Sequence, residues 1–173
     1  MRKVVFYGAV SLDGYLSDQN NSLNWLFETD TGGETTYESF IQNVDTVIMG
    51  RVTYEEVLKI QQDGEALYSN QEVIVFTRDM DKDFKGVQIV HENPVSFIDK
   101  LKETDGKLIW VVGGGNLLKP LLEADMIDEW WIQITPVLLG KGKRLFEDGD
   151  YLRRLELVET TSFGQFVELH YKK

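Results

Sequence analysis

The sequence predicts an α/β protein whose sheet is mostly parallel and ends in an antiparallel hairpin. Three stretches carry that prediction. Val47-Ile48-Met49-Gly50-Arg51-Val52-Thr53 passes from an apolar strand pattern through glycine into a helical pattern. Leu108-Ile109-Trp110-Val111-Val112-Gly113-Gly114-Gly115-Asn116-Leu117-Leu118 does the same with three glycines. Residues 155–162 and 165–171 read as two strands around Phe163-Gly164. So short a link demands an antiparallel pair, because parallel neighbours need a crossover.

Residues 4–10 form a continuous apolar run, the pattern of a strand buried on both faces. Residues 11–18 are rich in turn formers, and Asp13-Gly14 serves either as a plain turn or as the tip of a mobile loop over a site. Residues 19–33 show little periodicity, yet Trp25, Leu26 and Phe27 call for burial. Tyr37, Phe40 and Ile41 fall at i, i+3, i+4, which predicts a helix over 34–43. Residues 72–78 read as a strand ending in Thr77 and Arg78, at the carboxyl end where open α/β sheets bind ligands. A short strand over 87–90 precedes Asn93-Pro94, which opens a helix with Phe97, Ile98 and Leu101 on one face. The helix over 116–124 leads into a strand over 127–136 with Trp130 and Trp131 on opposite faces.

A chain of 173 residues with 42% hydrophobic and 27% charged residues fits one globular domain, here taken as residues 1–173. The net charge of -11 would repel nucleic acid and anionic membranes, so neither is an expected partner. The absence of cysteine excludes disulfides, thiolate metal sites and a cysteine nucleophile, and leaves only His91 and His170 as imidazoles. No metal site is expected. The apolar run after Met1-Arg2-Lys3 is broken too early for a signal peptide, and no stretch reaches the length of a membrane span. A cytoplasmic location is the expectation.

Three consecutive glycines let a ligand approach the main chain, and a helix starting there offers unpaired N–H groups and a positive dipole end to an anion. The spacing is neither G-x-G-x-x-G nor a P-loop. A tight turn without a ligand therefore stays open beside the phosphate-binding reading. Two such junctions on neighbouring parallel strands can bring two helix N-termini to one pyrophosphate.

Residues 47–55, a strand followed by Met-Gly-Arg-x-Thr-aromatic, resemble the dihydrofolate reductase signature, and Val112-Gly113-Gly114-Gly115 resembles that fold's second cofactor glycine cluster. Ser11-Leu12-Asp13-Gly14 and Pro136-Val137-Leu138-Leu139-Gly140-Lys141-Gly142 are similar to the reductase domain of bacterial riboflavin biosynthesis, in its stand-alone form. The resemblance to this superfamily runs nearly end to end. It implies a dihydrofolate reductase-like three-layer fold, with helices on both faces of the sheet.

The resemblance also implies NADPH bound between the Gly50 and Gly113 junctions. Arg51, Val52, Thr53, Thr77 and Arg78 would then lie near the adenosine phosphates. Gly114, Gly115, Asn116 and Leu117 would complete the second junction, and Ala9 and Val10 would flank the nicotinamide. The implied reaction is hydride transfer to a small heterocycle, such as 5-amino-6-(5-phosphoribosylamino)uracil or a folate. Related reductases commonly pair through one end of the sheet, so a homodimer is expected, with Trp130, Trp131 and residues 136–146 as the apolar surface.

Dihydrofolate reductases place an acidic residue on the helix before the Gly-Arg strand, and Glu34, sixteen residues before Gly50, falls at about that place. Its flanks, Thr31-Gly32-Gly33 and Thr35-Thr36, do not resemble a folate site, and the helix dipole explains an acidic residue there equally well. Glu34 and Asp13 are the candidate catalytic residues. The competing reading is a non-catalytic nucleotide-binding module that kept the cofactor site.

Overall fold

The computed structural model describes residues 1–61 and 67–173. Six strands pair in parallel: β1 (Val4–Val10), β3 (Val44–Gly50), β4 (Glu72–Phe76), β5 (Gln88–Val90), β6 (Leu108–Gly113) and β7 (Glu129–Ile134). The C-terminal hairpin, β9 (Glu156–Phe163) and β10 (Phe166–Lys172), joins them antiparallel through β7. The resulting eight-stranded order is β5-β4-β3-β6-β1-β7-β10-β9. Two short strands, β2 (Tyr15–Ser17) and β8 (Lys143–Arg144), form a separate ribbon. This is the mixed sheet that the glycine junctions and the hairpin predict.

The period-two alternation of β1 divides the core into two layers. Val4 and Phe6 pack with Ile98 of α4 (Pro94–Lys102) and with Leu117, Leu118 and Leu121 of α5 (Gly115–Glu123). Val5 and Tyr7 pack on the other side, with Phe40 of α2 (Tyr37–Ile41) and with Tyr54 and Val57 of α3 (Arg51–Ile60). Helices therefore cover both faces. Phe6, Ile48, Ile109, Leu118 and Leu121 are fully buried, and each such side chain contributes about 1.5–3 kcal/mol by leaving water. Helix α4 starts where Asn93-Pro94 predicts, the Asn93 side chain accepting from the Val95 and Ser96 N–H groups.

The structure departs from the pattern-based expectations in three places. Helix α2 spans only Tyr37–Ile41, because Gly32 and Gly33, both at positive φ, shape a turn ahead of it. The 19–33 stretch forms a short helix, α1 (Asn24–Phe27), without a buried residue, and Phe27 is 61% exposed. The two tryptophans are covered by their own chain. Trp130 lies against Phe6 and Phe146, with ring centroids 5.5 and 5.4 Å away, and Trp131 stacks on His170 at 3.9 Å. Trp131 stays half-buried, and Leu138 and Phe146 in the 136–146 stretch stay exposed.

Candidate functional site

In the strand order, β6 sits between β3 and β1, so the chain returns to the middle of the sheet after building its β5 edge. Such a reversal leaves a crevice beyond the carboxyl ends of the strands. Here it opens into a cleft of about 1430 Å³. Pockets for one drug-sized molecule run to roughly 1,000 Å³, so this cleft has room for a dinucleotide beside a second small molecule.

Both glycine junctions face it. Gly50, in extended conformation, directly precedes α3, and Gly114 directly precedes α5. Neither helix has a side-chain cap at its N-terminus, so the first-turn N–H groups that an Asn caps in α4 remain available. A side chain at either glycine would have room: nothing lies within 4 Å of a Cβ at Gly50, and one at Gly114 would meet only the Thr53 hydroxyl at 3.5 Å. The same Thr53 contact shows how closely the two helix starts approach. Gly115 differs, since a Cβ there would come within 2.6 Å of the Arg144 carbonyl oxygen. Its glycine is needed for packing of α5 against the 143–147 segment. The peptide between Gly113 and Gly114 is cis.

The structure gathers twelve of the thirteen expected cofactor residues on the cleft wall. Arg51, Val52 and Thr53 line it from α3, Thr77 and Arg78 from the end of β4, and Asn116 and Leu117 from α5; Ala9, Gly50, Gly113, Gly114 and Gly115 complete the set. Val10 is the exception, because strand alternation turns its side chain into the core beneath α5. Arg51 pairs with Glu55 at 2.8 Å, and Glu55 also meets Lys82 at 3.3 Å. Arg78 is exposed. His91, exposed just after β5, joins this wall, its Nδ1 2.9 Å from the Thr77 carbonyl oxygen.

The two candidate catalytic carboxylates lie elsewhere. Glu34 sits in the exposed turn before α2 and outside the cleft lining, although its neighbours Thr31 and Thr35 belong to it. Asp13 is an anchor between loops. Its carboxylate accepts from the Ser11 hydroxyl at 2.6 Å and from the Leu139 and Gly140 N–H groups at 3.1 and 2.7 Å. The Ser11 hydrogen bond, followed by those from Gly140 and Leu139, lowers its pKa to about 2. A group held that far down stays anionic at neutral pH and donates no proton. The clamp's contribution is complete above the ordinary carboxylate pKa and is lost only as pH falls through about 2. Asp13→Ala is therefore expected to lower the melting temperature at pH 7 while leaving NADPH affinity unchanged; a calorimetric scan and a cofactor titration check the two halves.

The end of the cleft beyond Ala9 has another character. Leu26, Phe27, Tyr37 and the stacked pair Phe163 and Phe166 line it. The 30–33 turn is fastened to the β9–β10 turn there: Gln165 N–H donates to the Asp30 carbonyl at 2.9 Å, and Gly164, at φ +53°, leaves no space for a side chain against Asp30 and Thr31. At the floor lies a polar cluster that local sequence patterns do not single out. Tyr7, Thr36, Gln133 and Glu168 come from β1, the start of α2, β7 and β10, and strand register sets Ala9, Gln133 and Glu168 side by side. Gln133 Nε2 lies 2.5 Å from the Tyr7 hydroxyl and 2.8 Å from Glu168 Oε2, and Thr36 Oγ1 lies 2.6 Å from that same carboxylate oxygen. Burial raises the Tyr7 pKa to about 12, so its hydroxyl keeps its proton. The available signal was a polar residue within an apolar strand, as in Trp130-Trp131-Ile132-Gln133-Ile134, and the Phe166-Glu168-His170 alternation.

Among the described residues no group of three or more His, Asp or Glu side chains could hold a metal ion, and no helix is long and apolar enough to cross a membrane.

Comparison with known proteins agrees with this architecture. The chain is 39% identical over 171 residues to the uncharacterized protein YwjB of Bacillus subtilis (strain 168), covering 98% of this chain and 97% of that one. It superposes on a putative riboflavin biosynthesis protein from Shewanella sp. PV-4 with a TM-score of 0.86 at 28% identity, covering 99% and 98% of the two chains. It shares its fold with a dihydrofolate reductase from Enterococcus faecalis, complexed in that structure with NADP(H), at a TM-score of 0.68 and 17% identity over 98% and 96%. The family model of the RibD C-terminal domain matches residues 2–169. A match spanning both glycine junctions, the cleft and most of the closing hairpin means that the chain belongs to the RibD C-terminal domain family.

Proposed function

We propose that the protein is an NADPH-dependent reductase acting on a small heterocyclic molecule. The observation that carries this reading is the pair of uncapped helix N-termini, of α3 and α5, opening onto one cleft through glycines whose Cβ positions are free. That arrangement suits a pyrophosphate, since the first-turn N–H groups and the dipoles of two helices converge on an anion without desolvating a side chain. The fold's occurrence in a dihydrofolate reductase complexed with NADP(H) supports the same assignment.

The residues present fit such a cofactor. Gly50, Gly114 and Thr53 would hold the phosphates, Arg78, Arg51 and His91 the adenosine end, and Ala9 and Gly113 the nicotinamide end. The bound cofactor supplies a hydride. The chain positions the acceptor, keeps water from the reacting carbons and holds a polar group against the ring. With Asp13 tied up and Glu34 outside the cleft lining, a required proton is expected from solvent.

The test is loss of NADPH absorbance with a panel of pterin and pyrimidine acceptors. Turnover with one of them supports the reading, whereas tight cofactor binding with no turnover on any would favour the non-catalytic binding module.

A second candidate surface for the expected homodimer lies at the edge of the sheet. Strand β9 is an edge strand with Leu157 and Val158 about half exposed between Glu156 and Glu159, and an open strand edge can pair with a second copy. Light scattering at micromolar concentration is expected to give twice the chain mass, and Leu157→Lys to halve it. A native monomer would end this proposal.

A further inference from the structure

The cluster beneath Ala9 has a hydrogen-bond direction that its chemistry fixes. The Thr36 hydroxyl donates its single proton to Glu168 Oε2, at 2.6 Å. Thr36 begins α2 without capping it. Its oxygen then receives the Tyr7 proton, across 2.8 Å. The Tyr7 oxygen in turn receives one hydrogen of the Gln133 amide, at 2.5 Å, and the other goes to Glu168, at 2.8 Å. Every proton of the network points toward Glu168. Placing the nitrogen of Gln133, and not its oxygen, against the carboxylate is the only orientation that avoids two facing acceptors.

The amide oxygen of Gln133 is what remains. The residue is 9% exposed and the oxygen receives no hydrogen bond from the described residues. It is not sealed in the core, because among the described residues no fully buried side-chain polar atom lacks a partner. Gln133 lines the cleft, so that oxygen opens into it. The lining residues Leu26, Phe27, Tyr37, Phe163 and Phe166 carry no charge. Every charged residue of the lining lies on α3, just after β4 or β5, or in the 143–147 stretch beside Gly115.

We infer that this end of the cleft takes an uncharged, flat ring that presents an N–H donor to Gln133 Oε1, with Glu168 as the positioning residue that fixes the amide's orientation. A buried acceptor selects for such a donor because a ligand lacking it leaves the oxygen unpaired. Leu26, Phe27 and Tyr37 supply apolar and aromatic surface for the ring's faces. Among the described lining residues the lysine and arginines are Lys143, Arg51 and Arg78, none of them on the segments that carry Leu26, Phe27, Tyr37 and Gln133. The inference deepens the reductase reading and rests on it only for placing the ring beside the cofactor.

The test uses lumazine, which carries ring N–H donors, and 1,3-dimethyllumazine, which does not, titrated into native protein with saturating NADP+. NADP+ affinity is measured separately, so failure of the cofactor reading shows itself independently. Lumazine is expected to bind at least about tenfold tighter than the dimethyl compound, the cost of one unpaired buried acceptor. Ribose 5-phosphate is expected not to displace it. Glu168→Gln frees the amide to turn over, and Gln133→Leu removes the acceptor. Both variants should erase the discrimination while NADP+ affinity holds, a signature that a merely structural role for Glu168 would not give. Equal affinity of the two lumazines for the native protein, no lumazine binding, or displacement by ribose 5-phosphate would overturn the assignment.

Discussion

Gly114→Val is expected to leave the protein folded and to reduce NADPH affinity by about a hundredfold or more. The fold should survive because Gly114 has φ -82° and ψ -171°, an extended conformation open to any residue, and a Cβ there meets only the Thr53 hydroxyl at 3.5 Å. Binding should fail because the added branch points between the starts of α3 and α5, where phosphate must reach the backbone N–H groups. Losing two or more charge-assisted hydrogen bonds, at about 1.5–3 kcal/mol each, amounts to that factor. Gly115→Val is the contrasting control. Its Cβ would stand 2.6 Å from the Arg144 carbonyl oxygen, so its effect should appear as a lower melting temperature. Unchanged NADPH affinity in a folded Gly114→Val protein, followed by tryptophan fluorescence, would remove phosphate from this junction.

The second large effect concerns cofactor choice. NADPH should bind at least about tenfold tighter than NADH, one charge-assisted phosphate contact's worth, and Arg78→Ala should remove most of that preference. Both arginines line the cleft, but they are not equivalent. Arg51 is already engaged by Glu55 at 2.8 Å, whereas Arg78 is exposed and stands outside the Glu55 ion-pair group. Arg51→Ala should therefore cost less discrimination than Arg78→Ala. Affinities for the two cofactors, measured for all three proteins by the same titration, decide the order. Equal binding of NADPH and NADH by the native protein would contradict it.

The architecture was legible because it is written in local patterns. Apolar runs ending in glycine mark the carboxyl ends of β3 and β6, and the short Phe163-Gly164 link forces the hairpin. Part of the cleft wall was legible for the same reason, since Arg51, Val52, Thr53, Asn116 and Leu117 are close in sequence to those glycines. The polar cluster at the cleft floor was not. Tyr7, Thr36, Gln133 and Glu168 come from four separate elements, and only the pairing of β7 with β1 and β10 brings them together. Glu34 stands out through its resemblance to the acidic residue that dihydrofolate reductases carry before the Gly-Arg strand, yet a turn with Gly32 and Gly33 at positive φ precedes α2, which begins only at Tyr37 and leaves Glu34 exposed. Phe27 looked like core because it is aromatic, but α1 turns it outward over the cleft. Periodicity reports which side chains share a face. It does not say what lies opposite that face.

Titrating the native protein with NADPH while exciting tryptophan tests the central claim most directly, since Trp110 lines the cleft. The account predicts saturable quenching at micromolar cofactor, one equivalent per chain, that NADP+ reverses by competition. Absence of saturable binding by the folded protein would contradict it.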